Sequence, residues 1–333
     1  MTRAPLPYAL LLALLAALCL ALGAISMMVG PGGGPAEIMT MIARGDEDLA
    51  WMMVGEVRLP RTLLALMVGA TLGMAGAALQ GLLRNPLADP GVVGVTTSAS
   101  LGAVIALYTG VSMAFPLALP LMGIAGALAS AAILLMLAGR GGMLTLVLAG
   151  VAISSLCAAL MSLALNLSPN PYAAAEIVFW LMGSVTDRSM DHVMLAAPLM
   201  ALGALMLMLA ARPLDALSLG EETAASLGAS LMRTRALVIG GASIGVGAGT
   251  AVCGGIGFIG LVVPHLLRPL VGHTPGRLLA ASALGGAALL TAADILIRIL
   301  PTGVELKLGV VTSLIGAPFF LWLIFRARAE LES

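Results

Sequence analysis

The sequence is short of charge. Only 10% of its 333 residues are Asp, Glu, Lys or Arg, against about 25% in soluble globular proteins. The 16 basic and 16 acidic residues also cancel. The first scarcity places the chain in a bilayer rather than in water. The second leaves no basic footprint for nucleic acid. Lysine is nearly missing, Lys307 being the only one. A GxxxxGK[ST] phosphate loop needs a lysine followed by Ser or Thr, so this chain does not hydrolyse ATP itself. The glycine-rich "GGASIGVGAG" (Gly240 to Gly249) lies in an apolar run with no strand before it. It reads as small-residue helix packing rather than a nucleotide loop.

Cysteine and histidine are equally sparse. Cys19, Cys157 and Cys253 each sit inside an apolar run, with no CxxC and no Cys/His spacing. They read as small buried apolar residues rather than ligands or disulfides. His192, His265 and His273 show no HExxH or paired-ligand spacing, so no metal, cofactor or intramembrane catalytic set is expected on the chain. Aromatics are only 4%, whereas glycine reaches 41 residues. Small residues suit helices that approach closely in lipid, where packing rather than hydrophobicity drives association. The 21 methionines offer a soft wall and read as lipid or core filling before haem ligands.

What the chain does have is long apolar runs. A charge at the bilayer centre costs roughly 2.5–3.5 kcal/mol, so charges mark the ends of spans. Pro90 to Gly139 is uncharged throughout. That is far longer than the roughly 20 residues of one crossing, so it is split in two near 110–116. The run from Ala236 to Leu267 is divided at "CGGIGFIG". The expectation is an all-α membrane protein, a single transmembrane domain over 1–333. Its ten spans lie near 8–29, 61–83, 91–109, 116–139, 144–166, 190–211, 236–253, 256–270, 278–298 and 306–325.

An even number of spans puts both termini on one side. With that side cytoplasmic, Arg3, Arg84, Arg140, Arg212, Arg233, Arg235, Arg268, Arg277, Arg326 and Arg328 fall inside. Arg44, Arg58, Arg61, Arg188, Arg298 and Lys307 fall outside. This is the positive-inside bias. A cleaved signal peptide is the alternative for the N-terminus, although the apolar run to Val29 is long for one.

A faint repeat lines "RTLLALMVGATLGMAG" from Arg61 up with "RTRALVIGGASIGVGAG" from Arg233, matching Arg61, Gly69 and Gly73 to Arg233, Gly241 and Gly245. The two helices would run in opposite directions, as in inverted-repeat transporters; chance similarity of glycine-rich helices is the plainer reading. Asp294 and Arg298, four apart, would share a helix face. They are either an i,i+4 pair at the outer interface or an ion-coupled relay of a secondary carrier.

The longest polar stretch in the C-terminal two thirds is "RPLDALSLGEETAASLGASLMRTR", Arg212 to Arg235. Its "SLGE" reads as a capping box between Ser218 and Glu221, followed by a short helix that Gly228 stops. The helix would stand outside the bilayer, as a solvated connector or as a docking element.

Several stretches together carry a family likeness: "RLPRTLLALMVGATLGMAGAALQGLLRNPLADPGVVGV" (Arg58 to Val95), "LGEETAASLG" (Leu219 to Gly228), "GGIGFIGLVVPHLLR" (Gly254 to Arg268), "ADILIR" (Ala293 to Arg298) and "ELKLGVVTSLIGAPFFLWLI" (Glu305 to Ile324). In order and spacing, over nearly the whole chain, they resemble the FecCD-type permeases of bacterial ABC importers for iron-siderophores, haem and cobalamin.

The resemblance implies a type II importer permease fold in the bacterial inner membrane, paired with a second copy or a related chain. It implies two cytoplasmic ATPase subunits, which hold the ATP and magnesium, and a periplasmic substrate-binding protein. Leu219, Gly220, Glu221, Glu222, Ala225 and Leu227 would form the contact to the ATPase. Arg58, Arg61 and Arg298 would dock the binding protein, a role that suits the guanidinium fork. The path would run between two copies along span five, where Ser155, Ser162 and Asn166 can share a face, with 171–183 as a short outer re-entrant helix. "RNPLADPG" reads as an inner turn. The proline of "IGAPFF" reads as a kink that shapes the path or only the packing. By the likeness of "PTGVELKLGVVTSLIGAPFFLWL", haem is expected ahead of a ferric siderophore, and both ahead of cobalamin.

Overall fold

A computed structural model describes residues 7–331 apart from 31–32, 92, 116, 139–142, 169–170 and 301–305. Expectations resting on Arg3, Arg140 or Glu305, and the break at 116, lie outside the described residues. Among the described residues all regular structure is helical. A helix lies over each of the ten predicted segments. Among the described residues, seven helices are long and apolar enough to cross a membrane by themselves.

Helix α1 (Tyr8–Met28) is followed by two short helices that sequence reasoning missed, α2 (Pro35–Ala43) and α3 (Glu47–Trp51). Their signals were local. Pro35 opens α2 and the Glu37 carboxylate accepts from the Gly34 N–H. Glu47 and Asp48 sit in the first turn of α3, where the helix dipole favours negative charge. From α3 the chain continues through a π-helical stretch, Met52–Arg58, into α4 (Leu59–Leu83). Pro60 explains the widened turn: it has no N–H for the carbonyl four residues back, and its ring crowds that carbonyl.

After the left-handed Arg84 (φ 48°), the turn of residues 85–91 folds back into the bundle. Gln80 Nε2 donates to Ala88 O at 3.3 Å and Ser154 Oγ to Gly91 O at 3.3 Å. The next helix, α5 (Val95–Tyr108), therefore has only 14 residues, about 21 Å. The short α6 (Val111–Ala114), then α7 (Ala118–Ala138), α8 (Met143–Asn166), α9 (Pro171–Leu181) and α10 (Met190–Leu209) follow. Next come α11 (Ala211–Leu217), α12 (Glu221–Ser226), α13 (Leu231–Cys253), α14 (Ile259–Leu267) with a 3-10 turn at Arg268–Val271, α15 (Pro275–Ile299) and α16 (Leu308–Leu331).

The core is a small-residue seam. α4 and α13 are enclosed nearly all round, while α1 and α8 leave most of their length open. α4 lies antiparallel against α15. A Cβ on Gly69 would collide with the Gly286 carbonyl, and one on Gly73 with the Ser282 carbonyl. Gly203 of α10 and Gly241 of α13 meet in the same way, each blocking a Cβ on the other at 2.6–2.9 Å. The glycines matched in the repeat thus both serve close helix crossings, with different partners.

The break expected at "CGGIGFIG" is there. α13 stops at Cys253, whose carbonyl accepts from Ser184 N at 2.6 Å. Gly254 follows at φ 74°, a conformation that glycine adopts at no steric cost.

Candidate functional site

The polar loop forms a two-helix elbow. α11 ends at Ser218, which is in helical conformation, so its hydroxyl donates back to Asp215 O at 2.6 Å. The expected capping box is therefore absent. Gly220, at φ 110° and ψ 156°, is the N-cap of α12 and no side chain caps it. The stop at Gly228 is as expected. Gly228 N donates to Ala225 O and Ala229 N to Ala224 O, both at 2.9 Å, the two bonds of a Schellman motif, and Gly228 takes φ 84°. Ala224 is buried in the core and holds α12 down. Glu221, Glu222 and Ala225 are exposed and Gly220 is half-buried. Leu219 and Leu227 are each 64% exposed, at either end of the acidic pair. Below the elbow, Asp215 Oδ1 accepts from Gly276 N at 2.6 Å, tying the loop to the first turn of α15.

The other end of the bundle holds the three arginines, and the structure encloses them. Arg58 and Arg61 are buried, and the Arg298 side chain is only 2% exposed. Arg58 Nη1 donates to the carbonyls of Met27 (3.1 Å) and Met28 (3.3 Å), and its Nη2 to Gly33 O at 2.5 Å. Arg298 Nη1 donates to Ser26 O and Val29 O, both at 2.8 Å, and its Nη2 to Ser26 Oγ at 2.7 Å. Apart from Gly33 O and the Ser26 hydroxyl, these are carbonyls at the C-terminal end of α1, which no helical N–H satisfies and where the dipole favours cations.

Asp294, itself 1% exposed, accepts from Arg298 Nε at 2.9 Å and from Arg298 Nη2. It also accepts from Arg61 Nε at 3.0 Å and Nη2 at 2.9 Å. The arginines therefore present no free charge at an outer surface. The Asp294/Arg298 pair is part of a buried network joining α1, α4 and α15, not an exposed interfacial pair. A carboxylate gripped by two guanidinium groups is built to stay in place, not to exchange a coupling ion.

Between these ends, Ser155, Ser162 and Asn166 lie on the open face of α8, all exposed, while Cys157 on the opposite face meets Ser98 Oγ at 3.4 Å. Ser162 Oγ donates to its own helix, to Ala158 O at 3.0 Å. None of the three lines the large cavity nearby. That cavity, about 530 Å³, lies among the end of α9, the Gly255 turn and α16, with Met182, Gly309, Val310, Ser313, Leu314 and Pro318 in its wall. Sequence reasoning missed it, although Pro318 in "IGAPFF" was the signal: α16 runs through this proline, and Gly309 N reaches across to Gly183 O at 3.3 Å. Two inner turns are as expected: Asn85 Oδ1 accepts from Leu87 N at 2.9 Å and Asp89 Oδ1 from Gly91 N at 2.8 Å. Burial raises the Asp89 carboxyl, and the Gly91 amide offsets part of that. All three cysteines are free and buried. Among the described residues no three His, Cys, Asp or Glu side chains gather as a metal site.

Comparison with known proteins places this geometry. The FecCD transport family model matches residues 14–326. The Fe(3+) dicitrate transport system permease protein FecD of Escherichia coli K12 is 45% identical over 273 residues, covering 82% of this chain and 85% of FecD. The hemin transport system permease protein HmuU of Yersinia pestis is 37% identical over 322 residues, 93% of each chain. A solved structure described as an inward-facing conformation of a metal-chelate type ABC transporter superposes with a TM-score of 0.84 at 32% identity, over 96% of this chain and 99% of the other.

Proposed function

The chain belongs to the FecCD transport family, and from that premise we propose how this ABC importer permease of the bacterial inner membrane is driven and what it carries. The force enters at the elbow. Two ATPase subunits, which bind the ATP and magnesium, seat on Leu219, Gly220, Glu221, Glu222, Ala225 and Leu227. One observation carries this reading: two leucines 64% exposed flank an acidic helix that is fixed to the core through Ala224 and to α15 through Asp215. Exposed leucines in water are costly at roughly 25 cal/mol per Å², and a helix pinned at its base can transmit a push.

Two copies of the chain would enclose the path. The open face of α8 with Ser155, Ser162 and Asn166 lines one wall, and the 530 Å³ cavity on α16 lines the other. A periplasmic binding protein docks at the outer end. Arg58, Arg61 and Arg298 serve it by holding the ends of α1, α4 and α15 in one frame, rather than by offering free charges.

The cargo is a metal chelate. Likeness to FecD is higher than to HmuU, so identity does not select haem. The cavity wall argues from chemistry instead. Leu181, Met182, Val310, Leu314 and Pro318 are apolar, and Ser313 is the polar side chain among them. Such a wall favours an apolar macrocycle over a polyanionic citrate complex, which keeps haem first, a ferric siderophore second and cobalamin third.

Reconstitution in vesicles tests the assignment. Uptake of chelate must require the ATPase subunits, ATP and the binding protein together. Uptake that persists without the ATPase and follows a proton gradient sinks it. A binding screen of the partner protein against haem, ferric siderophores, ferric dicitrate and cobalamin tests the cargo.

A further inference from the structure

At the end of the bundle that carries the elbow, the last turn of α4, the turn after α14 and the start of α15 leave a cleft of about 230 Å³. Arg84, Arg268 and His273 line it, together with the Gln80 amide and the Ser218 hydroxyl, and Leu278 contributes apolar wall. No Asp or Glu is among its lining residues. The carboxylate tied to the neighbouring turn, Asp215, is already engaged by Gly276 N at 2.6 Å.

The polar groups of the cleft are held in place. Gln80 Nε2 donates to Ala88 O at 3.3 Å and to Gly260 O at 3.2 Å. Its amide is thereby oriented, and Oε1 accepts from Arg268 Nη2 at 2.6 Å. That contact anchors the guanidinium while using one of its five donors. Arg84 (φ 48°) and His273 (φ 61°) occupy left-handed backbone positions. Each belongs to a closed turn, Asn85 N to Gln80 O and His273 N to Arg268 O, both 3.2 Å. Two guanidinium groups, an imidazole, a hydroxyl and a fixed amide around one concavity, with no carboxylate, match the oxygens of a phosphate.

We propose that this cleft binds a phosphate group, that of an anionic phospholipid headgroup or of free phosphate. Resting on the proposed orientation, the elbow end faces the cytoplasmic leaflet, where anionic lipids concentrate and basic pockets between helices take their headgroups. Ser218 sits at the joint between α11 and α12, so the bound phosphate touches the base of the coupling elbow.

The test uses the full chain, purified with its ATPase subunits and delipidated. One arm presents vesicles of phosphatidylcholine with or without phosphatidylglycerol, and retained lipid is measured. The other presents labelled inorganic phosphate. The variant is R84Q/H273Q, two exposed side chains whose loss leaves the core untouched; R84K/H273K places a cation at both positions.

Wild type and the lysine variant retain phosphatidylglycerol about tenfold better than the glutamine variant, with phosphatidylcholine retention equal in all. Phosphate binding with the same ranking but no lipid preference assigns the cleft to free phosphate. Equal retention by every variant in both arms overturns the proposal. So does a glutamine variant that sheds its ATPase subunits while anion retention is unchanged, because the basic groups then serve the partner protein. Coupling through Glu221 and Glu222 is read separately, as ATP hydrolysis, so failure of either reading leaves the other standing.

Discussion

Arg61 and Asp294, 233 positions apart, meet inside the bundle as a forked ion pair, with Nε and Nη2 3.0 and 2.9 Å from Oδ1. The pair fixes the start of α4 against the end of α15, and the glycine contacts beyond it continue the same seam. Asp294 also holds Arg298, which grips the carbonyl end of α1. One carboxylate thus sets the relative position of three helices.

Replacing Asp294 by Asn leaves two guanidinium groups buried without their carboxylate. The expected loss is about 3–5 kcal/mol of stability, read as a lower unfolding temperature in detergent. The Arg61→Met/Asp294→Leu/Arg298→Met triple removes all three charges together and is expected to cost less than the single change. Equal melting of Asp294→Asn and wild type would show that the network carries no stability.

Arg58→Glu tests how the outer end docks its binding protein. Because the guanidinium is enclosed, its loss acts on shape, and docking is expected to weaken equally at low and high salt. A loss that shrinks as salt rises is the signature of exposed charge pairing and restores the direct-contact reading.

The glycine seam is tested by Gly73→Val. The new side chain meets the Ser282 carbonyl, a backbone atom that cannot rotate away, at a cost of about 1–3 kcal/mol. Gly257→Ala is the control, since nothing lies within 4 Å of its added Cβ, and it is expected within about 0.5 kcal/mol of wild type. Similar melting of the two variants would rule out close packing as the reason for glycine on α4.

Reversing the acidic pair, Glu221→Arg with Glu222→Arg, leaves the buried anchor Ala224 intact. Insertion and melting are expected to stay unchanged while chelate-stimulated ATP hydrolysis falls about tenfold, the effect of roughly 1.4 kcal/mol at the contact. Full stimulation in this variant removes the elbow from the coupling route.

Asp89→Asn keeps the oxygen that accepts from Gly91 N and removes the charge that burial disfavours. With the folded carboxyl raised above its ordinary value, the ionised form weakens the fold at neutral pH. The amide variant is therefore expected to melt at or above wild type, and Asp89→Ala below it by about 1 kcal/mol. An Asn variant that melts well below wild type would show that the charge itself is needed.

Much of this molecule was legible in one dimension. Gly228 as a helix stop, the glycine break after Cys253 and the Asx turns at Asn85 and Asp89 all depend on residues within five positions of one another. What failed depended on the neighbours. Ser218 was read as the cap of α12, but α11 claims it first, so its hydroxyl turns back to Asp215. The segment between the first two predicted spans carries Glu37, Glu47, Asp48 and Glu56 on helical turns, which no long apolar run announces. Arg58, Arg61 and Arg298 were read as rim charges because a charge at a span end normally reaches water.

The sequence by itself determined that this is a bundle of lipid-crossing helices without the lysine of an ATP-binding loop. The cost of a charge in hydrocarbon, and the lysine followed by Ser or Thr that an ATP-binding GxxxxGK[ST] loop requires, can be read residue by residue. Only the tertiary structure decided what the charges at the helix ends do. Asp294 closes the outer end over Arg61 and Arg298, and Gln80 orients Arg268 at the other. Those pairings depend on which helices lie side by side, and that follows from how closely glycines at matching heights let two backbones approach.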